Sequence, residues 1–184
     1  MVKMHSQPIL NTDRLILRPF ELSDSSRVKE LAGNPKIAET TLNVPHPYED
    51  GMAESWISFH KESFINKKAV VYAIVTKDNN ELIGTAALHI NNVHRKAELA
   101  YWIGVPYWRK GYCSEASKAL LKFGFKELNL NRIYALAMAS NVASYSVMKK
   151  IGMKYEGTRR QDILKNGIPV DLKSYAILSD EFIE

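Results

Sequence analysis

The sequence predicts one mixed α/β domain built around a single sheet. Two observations support this prediction. Strand-like apolar runs recur along the chain, and helical patterns with apolar residues three and four positions apart separate several of them. No repeat, low-complexity segment or shift in composition divides the 184 residues, which are enough to bury a substantial core. We therefore expect a single domain spanning residues 1–184.

Strand and helix patterns follow one another from the first apolar run to the last. In chain order we predict a strand at 15–18, a helix from Ser23 or Asp24 to residues 33–35, a loop at 36–49, a helix at 53–65, strands at 69–76, 82–90 and 97–103, a helix ending near 128, a strand at 132–139, a helix at 142–150, and strands at 154–160 and 170–177. Pro45 and Pro47 indicate the loop. Asp78-Asn79-Asn80 and Asn166-Gly167 are typical of turns between antiparallel strands.

The segment after the strand at 97–103 carries the clearest functional signal. Its residues 108–115, Trp-Arg-Lys-Gly-Tyr-Cys-Ser-Glu, place a short basic loop with one glycine just before a helix. Ser114 is expected to cap that helix, with Glu115 in its first turn. Amides that converge before a helix N-terminus bind phosphate. The loop has neither a Gly-Lys-Ser/Thr ending nor three closely spaced glycines, which disfavours nucleotide triphosphates and dinucleotides.

This loop resembles the pyrophosphate loop of the GNAT acyl-CoA N-acyltransferases, whose pattern is Gln/Arg-x-x-Gly-x-Gly/Ala. Trp108 replaces the first polar residue and Cys113 the last small one, and neither change removes a backbone amide. Residues 12–20 resemble the opening strand of the ribosomal-protein (RimJ/RimL-like) branch of that family, and residues 141–157 resemble its late helix and the strand after it. The chain is identified as a member of this family by these segments together.

The resemblance implies a mostly antiparallel mixed sheet, splayed at the coenzyme A site, with helices on both faces. It also implies acetyl transfer from acetyl-CoA to a primary amine by direct attack in a ternary complex. The residues expected to bind acetyl-CoA are Trp102, Ile103, Gly104, Val105, Arg109, Lys110, Gly111, Tyr112, Cys113, Ser114, Asn141 and Ser144. Asn141 fits a contact with the cofactor, because its side-chain amide both donates and accepts hydrogen bonds. The alternative role is to cap the helix that follows it, and both roles can hold together.

Acetyl transfer to an amine needs a base, because an ammonium group has no lone pair for attack. Glu98 is the first candidate, since alternation along its strand places it with Ala100 and Trp102 on one face, where lost hydration should raise its pKa. A structural ion pair with Arg95, with Lys96 or with a residue of a neighbouring strand is the alternative interpretation.

Two further side chains are candidates by resemblance. Ser144 would protonate the departing thiolate, or else would cap a helix or contact coenzyme A. Many relatives carry a tyrosine where this chain has Met148. Glu156 is a second candidate base, and a surface ion pair is its alternative role. The resemblance also implies that backbone amides around residues 102–105 stabilise the oxyanion.

The amine acceptor is the least constrained part of the interpretation. Resemblance to the ribosomal-protein branch implies the N-terminal α-amine of a protein. The loop at 36–50 and the turn near 166–167 carry no dense acidic cluster, which disfavours spermidine or an aminoglycoside without excluding them. The same fold could also serve an amino acid or a toxin as acceptor, or bind acyl-CoA as a non-catalytic sensor. A homodimer is the oligomeric state that the family suggests.

Composition and charge weigh against several other classes. The net charge is +5, yet lysine and arginine are scattered, which disfavours nucleic-acid binding. No apolar run has membrane-spanning length, and residues 1–7 lack the apolar core of a signal peptide. Cys113 is the single cysteine, which fits a reducing cytoplasm. The histidines, His5 among them, show no metal-ligand spacing, so no metal is expected.

Overall fold

An eight-stranded mixed sheet organises the computed structural model, which describes residues 6–183. Most of the N-terminal segment 1–7, including His5, lies outside the described residues. The strands are β1 Leu10–Asn11, β2 Leu15–Pro19, β3 Ala69–Thr76, β4 Leu82–Asn91, β5 Lys96–Ile103, β6 Arg132–Met138, β7 Lys154–Lys165 and β8 Ile168–Leu178. The helices are α1 Ser25–Ala32, α2 Pro35–Thr40, α3 Met52–Ser58, α4 His60–Ile65, α5 Tyr112–Lys126 and α6 Val142–Lys150.

The strand order is β1-β2-β3-β4-β5-β6-β8-β7, and only the β5–β6 pair is parallel. That pair is short. Its register runs from Lys96 opposite Arg132 to Glu98 opposite Tyr134, although β5 continues to Ile103. Beyond Glu98 the two strands are no longer paired, and a cleft opens between them. The expected mixed sheet that splays at its centre is confirmed.

Helices cover both faces of the sheet, as predicted. Side chains alternate between the two faces of β3. Tyr72 and Ile74 are buried in the same hydrophobic cluster as Leu120 of α5. The neighbouring Val75 packs on the opposite face, against Leu31 of α1. Every residue of β3 is therefore buried, which is typical of a central strand covered on both sides. None of the helices within residues 6–183 is long and apolar enough to cross a membrane.

The structure differs from the prediction in several elements, and the unpredicted short strand β1 is one of them. The loop expected at 36–49 begins with α2, which Asn34 caps by accepting a hydrogen bond from the Lys36 amide, with Pro35 at the first helical position. The helix expected at 53–65 is two helices, because the turn tightens at Phe59, whose amide bonds to the Ile57 carbonyl. β7 and β8 are also longer than predicted and meet at the Asn166-Gly167 turn.

Candidate active site

Two cavities adjoin where β5 and β6 separate. The smaller one has a volume of about 500 Å³ and lies beside the loop before α5. The larger one has a volume of about 1030 Å³ and extends from Glu98 to the segment between α2 and α3. Five residues line both cavities: Thr40, Thr41, Tyr101, Trp102 and Ser144. Two ligands, one in each cavity, would therefore meet at this junction.

The smaller cavity gathers most of the residues expected to bind acetyl-CoA. Those that line it are Trp102, Ile103, Arg109, Gly111, Tyr112, Cys113, Ser114, Asn141 and Ser144. Gly104, Val105 and Lys110 are not among its lining residues. The Gly104 amide is already used, since it donates to the Ile83 carbonyl at 2.8 Å.

A tight backbone turn shapes the loop before α5. Arg109 and Gly111 both have positive φ, 62° and 82°, and glycine adopts that conformation at no steric cost. Gly111 also occupies the cap position of α5, so the predicted cap at Ser114 is wrong. Ser114 instead lies buried in the first helical turn. The turn brings the first amides of a fifteen-residue helix to the cavity, where they can receive a phosphate group.

Arg14 braces this loop from the opposite end of the chain. Its guanidinium donates to Glu115 at 2.7 Å and to the Lys110 carbonyl at 3.0 Å, and it lies 4.6 Å from the centre of the Tyr112 ring. Thr12 also donates to Glu115, at 2.6 Å. Burial alone would raise the pKa of Glu115, but these hydrogen bonds outweigh it and hold that pKa below its usual value. The carboxylate therefore stays ionised and paired with Arg14.

Trp108 has a structural role that explains why it can replace a polar residue. Its indole nitrogen donates a 2.6 Å hydrogen bond to the Ile103 carbonyl, which ties the loop to the end of β5. Along an antiparallel strand, successive backbone amides point alternately toward and away from the partner strand. Because the Gly104 amide points to β4, the amides of Ile103 and Tyr101 point away from β4, toward the opening. Of the residues expected to supply an oxyanion donor, Ile103 therefore has an amide of suitable orientation. The Tyr101 amide, which is not among the expected donors, has the same orientation.

Glu98 is the last residue of β5 that pairs with β6, and it lines the larger cavity. The Tyr134 hydroxyl donates to its Oε2 atom at 3.3 Å. Burial, followed by the nearby Glu98 carboxylate, raises the pKa of Tyr134, so this phenol stays protonated as a donor. Arg95 contacts Asn129 instead, and no ion pair to Glu98 occurs within the described part of the chain.

Ser144 lies in the first turn of α6, at the junction of the two cavities. Its Oγ is 3.1 Å from the Tyr101 hydroxyl, which also donates to the Ser144 carbonyl at 3.0 Å. Burial raises the pKa of Tyr101 well above its usual value, so this hydroxyl is neutral at physiological pH. Asn141 caps α6 by accepting from the Ser144 amide at 3.0 Å, which is the second of the two roles expected for it.

The acceptor side is closed by the C-terminal end of α2. The Lys165 amine donates to the carbonyls of Ala38 and Thr41 at 2.6 and 2.5 Å, and Asn141 donates to the Thr40 carbonyl at 2.7 Å. These donors satisfy carbonyls that a helix end leaves unpaired. Because Lys165 comes from β7 and Asn141 from the α6 cap, both contacts link α2 to the β6–β8 side of the cleft.

Glu156 lies apart from Glu98 and Ser144. Both of its carboxylate oxygens accept hydrogen bonds from Arg132 at 2.5 Å, and it lines neither cavity. The Arg132 guanidinium lowers the pKa of Glu156, which makes the carboxylate a weaker base. The geometry matches a surface ion pair, the role that the sequence allowed beside that of a base.

The loop before α5 borders one cavity, and Glu98 lines the adjoining one. This arrangement suits a transferase that moves a group from a phosphate-bearing donor to an acceptor. The comparisons with known proteins make this class specific. The family model described as "Acetyltransferase (GNAT) domain" matches residues 14–154. The chain belongs to the GNAT acetyltransferase family, and it is an N-acetyltransferase of that family.

Several relatives match nearly the whole chain. "Uncharacterized N-acetyltransferase YoaA" of Bacillus subtilis is 33% identical over 172 residues, covering 93% of this chain and 97% of the relative. "Putative ribosomal N-acetyltransferase YdaF" of the same organism is 28% identical, with 92% and 94% covered. A spermidine N(1)-acetyltransferase of Escherichia coli is also 28% identical, with 82% and 78% covered. Relatives of similar identity are thus named for different acceptors.

Solved structures agree with the fold. A GNAT-family acetyltransferase from Bacillus anthracis superposes with a TM-score of 0.84 at 30% identity, covering 95% of this chain and all of that one. RimL, a ribosomal L7/L12 α-N-protein acetyltransferase solved with coenzyme A, superposes with a TM-score of 0.86 at 19% identity, with 93% and 98% covered. At that identity the second likeness shows the shared fold alone.

Proposed function

We propose that this protein transfers the acetyl group of acetyl-CoA to the N-terminal α-amine of a protein, such as a ribosomal protein. One observation carries the transfer chemistry: Glu98 faces the larger cavity, while Ser144 lies where that cavity meets the smaller one. A base on the acceptor side and a hydroxyl at the junction are the groups that direct attack on a thioester needs. The relative named for ribosomal N-acetylation supports the protein acceptor.

The donor's diphosphate would lie against the amides that lead into α5, with Arg109 at the mouth of the smaller cavity. Its acetyl end would then lie at the junction of the cavities. The amides of Tyr101 and Ile103 are directed into the opening, so they are the proposed donors to the developing oxyanion.

The reaction breaks the thioester C–S bond as the amine nitrogen forms its bond to the acetyl carbon. Glu98 takes the proton from the amine, directly or through a water molecule. An α-amine has an ordinary pKa of about 8, so only a modest base is required. Ser144 Oγ is the proposed proton donor to the thiolate; its hydroxyl regains a proton from solvent, to which Glu98 returns the proton that it took from the amine. Tyr101 is a positioning residue, because its hydroxyl fixes Ser144 through two contacts.

A polyamine acceptor has less support in the cavity. Two carboxylates line it, and one of them, Asp50, is already paired with Lys29. Glu98 is then the one lining carboxylate without an ion pair in the described part of the chain. Spermidine carries several positive charges, and each of them loses hydration on entering a cleft.

The test is acetyl-CoA turnover with mass detection of the product, across peptides with ribosomal-protein N-termini, spermidine and an aminoglycoside. Acetylation of a peptide α-amine is expected. Glu98→Gln should lower kcat by about 10²-fold or more while the Kd for acetyl-CoA changes less than about twofold. Ser144→Ala should also lower kcat.

Glu156→Gln is the matched control, because the same chemical change is made outside both cavities. It should leave kcat near the wild-type value. Turnover with spermidine alone would overturn the proposed acceptor. Loss of turnover in Glu156→Gln but not in Glu98→Gln would reverse the assignment of the base. Binding of acetyl-CoA with no turnover on any acceptor would favour a sensor.

A further inference from the structure

We infer that the larger cavity selects a singly charged amine carried beside a bulky apolar group, such as the α-amine of a chain that begins with an aromatic or large aliphatic residue. The inference rests on the proposed function, because it names the acceptor class of the same site. Three features of the cavity support it: its charge, the chemistry of its wall and its size.

The charge of the cavity suits a single cation. Neither lysine nor arginine is among its lining residues, and His89 is its one lining histidine. Its two carboxylates lie in different surroundings. The side chain of Asp50 is 95% exposed and forms an ion pair with Lys29. Glu98 lies at the apex of the cleft, with a phenol as its partner. A single ammonium group beside Glu98 is therefore matched by one carboxylate, whereas the further charges of a polyamine are not.

Several aromatic side chains form part of the cavity wall. Its aromatic lining residues include Tyr48, Trp56, Phe59 and Trp102. Trp56 is fixed edge-on by Phe20, with ring centres 5.0 Å apart, and perpendicular to His60 at 4.4 Å. Trp56 is therefore held in place before any acceptor enters, which lowers the entropic cost of binding an apolar group against it.

His60 contributes no positive charge behind this wall. The imidazole is buried, and neither of its nitrogens has a hydrogen-bond partner among the described residues. Burial, together with the nearby His89, lowers the pKa of His60 to about 4, so the ring is neutral at physiological pH. A neutral imidazole packed against Trp56 and Phe20 behaves as part of the apolar layer.

The size of the cavity fits more than the amine itself. Its volume of about 1030 Å³ is at the upper end of the range for small-molecule sites, roughly 300–1,000 Å³. A side chain such as alanine or serine on the first residue would leave the aromatic wall in contact with water. A phenylalanine or leucine side chain would cover that wall, and loss of each methylene from such a pocket is worth roughly tenfold or more in discrimination.

The first test measures binding to the intact protein saturated with coenzyme A, by calorimetry, with four probes. These are the tripeptide amides Phe-Ala-Ala and Ser-Ala-Ala, the amine-blocked N-acetyl-Phe-Ala-Ala, and spermidine. The Kd for Phe-Ala-Ala should be at least tenfold lower than that for each of the other three. Equal Kd values for the two free tripeptides, tightest binding by spermidine, or no binding by any probe would overturn the inference.

The second test uses Phe59→Ala, because that side chain is 61% exposed and its loss leaves the core intact. The ratio of the two tripeptide Kd values should fall at least threefold. Ile65→Ala is the control, since Ile65 is equally exposed at the end of α4 but does not line the cavity. An unchanged ratio in Phe59→Ala, or an equal fall in both variants, would contradict the proposed role of the aromatic lining residues in selecting the first side chain.

Turnover of the same peptides separates this inference from the proposed function. Selective binding of Phe-Ala-Ala without acetylation would refute the proposed reaction and leave the binding preference intact. Acetylation of both peptides with equal Kd and equal kcat/KM would support the reaction and refute the preference.

Discussion

Replacing Arg14 by alanine should loosen the loop that is proposed to hold the diphosphate of acetyl-CoA. The substitution removes the guanidinium contacts with Glu115, the hydrogen bond to the Lys110 carbonyl and the contact with the Tyr112 ring. The Arg14 amide still donates to Glu115 at 2.8 Å, because that contact belongs to the backbone. The change therefore removes the brace without unpairing Glu115 completely.

The size of the effect follows from these contacts. The Arg14 side chain is 47% exposed, so its ion pair contributes about 0.5–1 kcal/mol and the ring contact about 0.5 kcal/mol. The hydrogen bond to the Lys110 carbonyl adds about 0.5–1 kcal/mol. A total near 2 kcal/mol corresponds to a Tm decrease of about 4–8 °C for a chain of this size.

The Arg14→Ala substitution should weaken the binding of acetyl-CoA and have little effect on the rate of acetyl transfer. If most of that free energy holds the loop in its binding conformation, the Kd for coenzyme A should rise about tenfold, while kcat at saturating acetyl-CoA falls less than about threefold. Calorimetry with coenzyme A measures the first quantity, and saturation kinetics measure the second. Arg159→Ala is the control, because the Arg159 side chain is 48% exposed and pairs with Asp162 away from the loop.

An unchanged Kd for coenzyme A in Arg14→Ala would refute the reasoning. So would an equal rise in Arg159→Ala, because that result would mean that loss of positive charge alone weakens binding. A normal Tm with a raised Kd for coenzyme A would instead indicate that the Arg14 guanidinium contacts the ligand directly and does not stabilise the loop.

Two further predictions concern the rest of the structure. Lys165→Met removes the donor to the Ala38 and Thr41 carbonyls, so amide exchange in residues 41–50 should accelerate while that of α5 is unchanged. Lys154→Met is the surface control. Equal exchange in both variants would contradict the role of the Lys165 contact. The pKa values of Glu115 and Glu156 are lowered in the folded state, so their stabilisation is complete above about pH 4.5 and is lost as the pH falls below that value. Urea unfolding between pH 7 and pH 3 tests this, and stability that rises on acidification would refute it.

Local patterns are sufficient for most of the secondary structure. The bounds predicted for the helix at 142–150 are those observed, and the strands at 69–76 and 97–103 differ by at most one residue. Helix α2 was not predicted, because the sequence at its start is compatible with either the end or the beginning of a helix. Asn34-Pro35 after Gly33 is typical of a helix end, yet asparagine followed by proline is equally a helix start, and the structure uses it so.

The contacts that brace the site are beyond local patterns, because their partners are far apart in the chain. Arg14 and Glu115 are separated by 101 residues, and Lys165 and Thr41 by 124. The number of residues between the partners does not indicate that they are in contact, because their distance in space depends on the order of the strands in the sheet. Resemblance to a family can propose roles for the loop and for Glu98, because each lies in a short segment that the resemblance covers.

The short pairing between β5 and β6 also bears on how the protein holds together. The strands β1–β5 and the strands β6–β8 meet through a register that covers only residues 96–98 and 132–134, so few backbone hydrogen bonds resist their separation. Both proposed substrates lie across this seam, and a ligand that binds only the closed arrangement stabilises it by about 2.7 kcal/mol at one hundred times its Kd. The buried cluster under α5 contains residues of both groups of strands, so the core still joins them. The amides of β5 and β6 beside the opening are therefore expected to exchange faster without ligand than in the ternary complex.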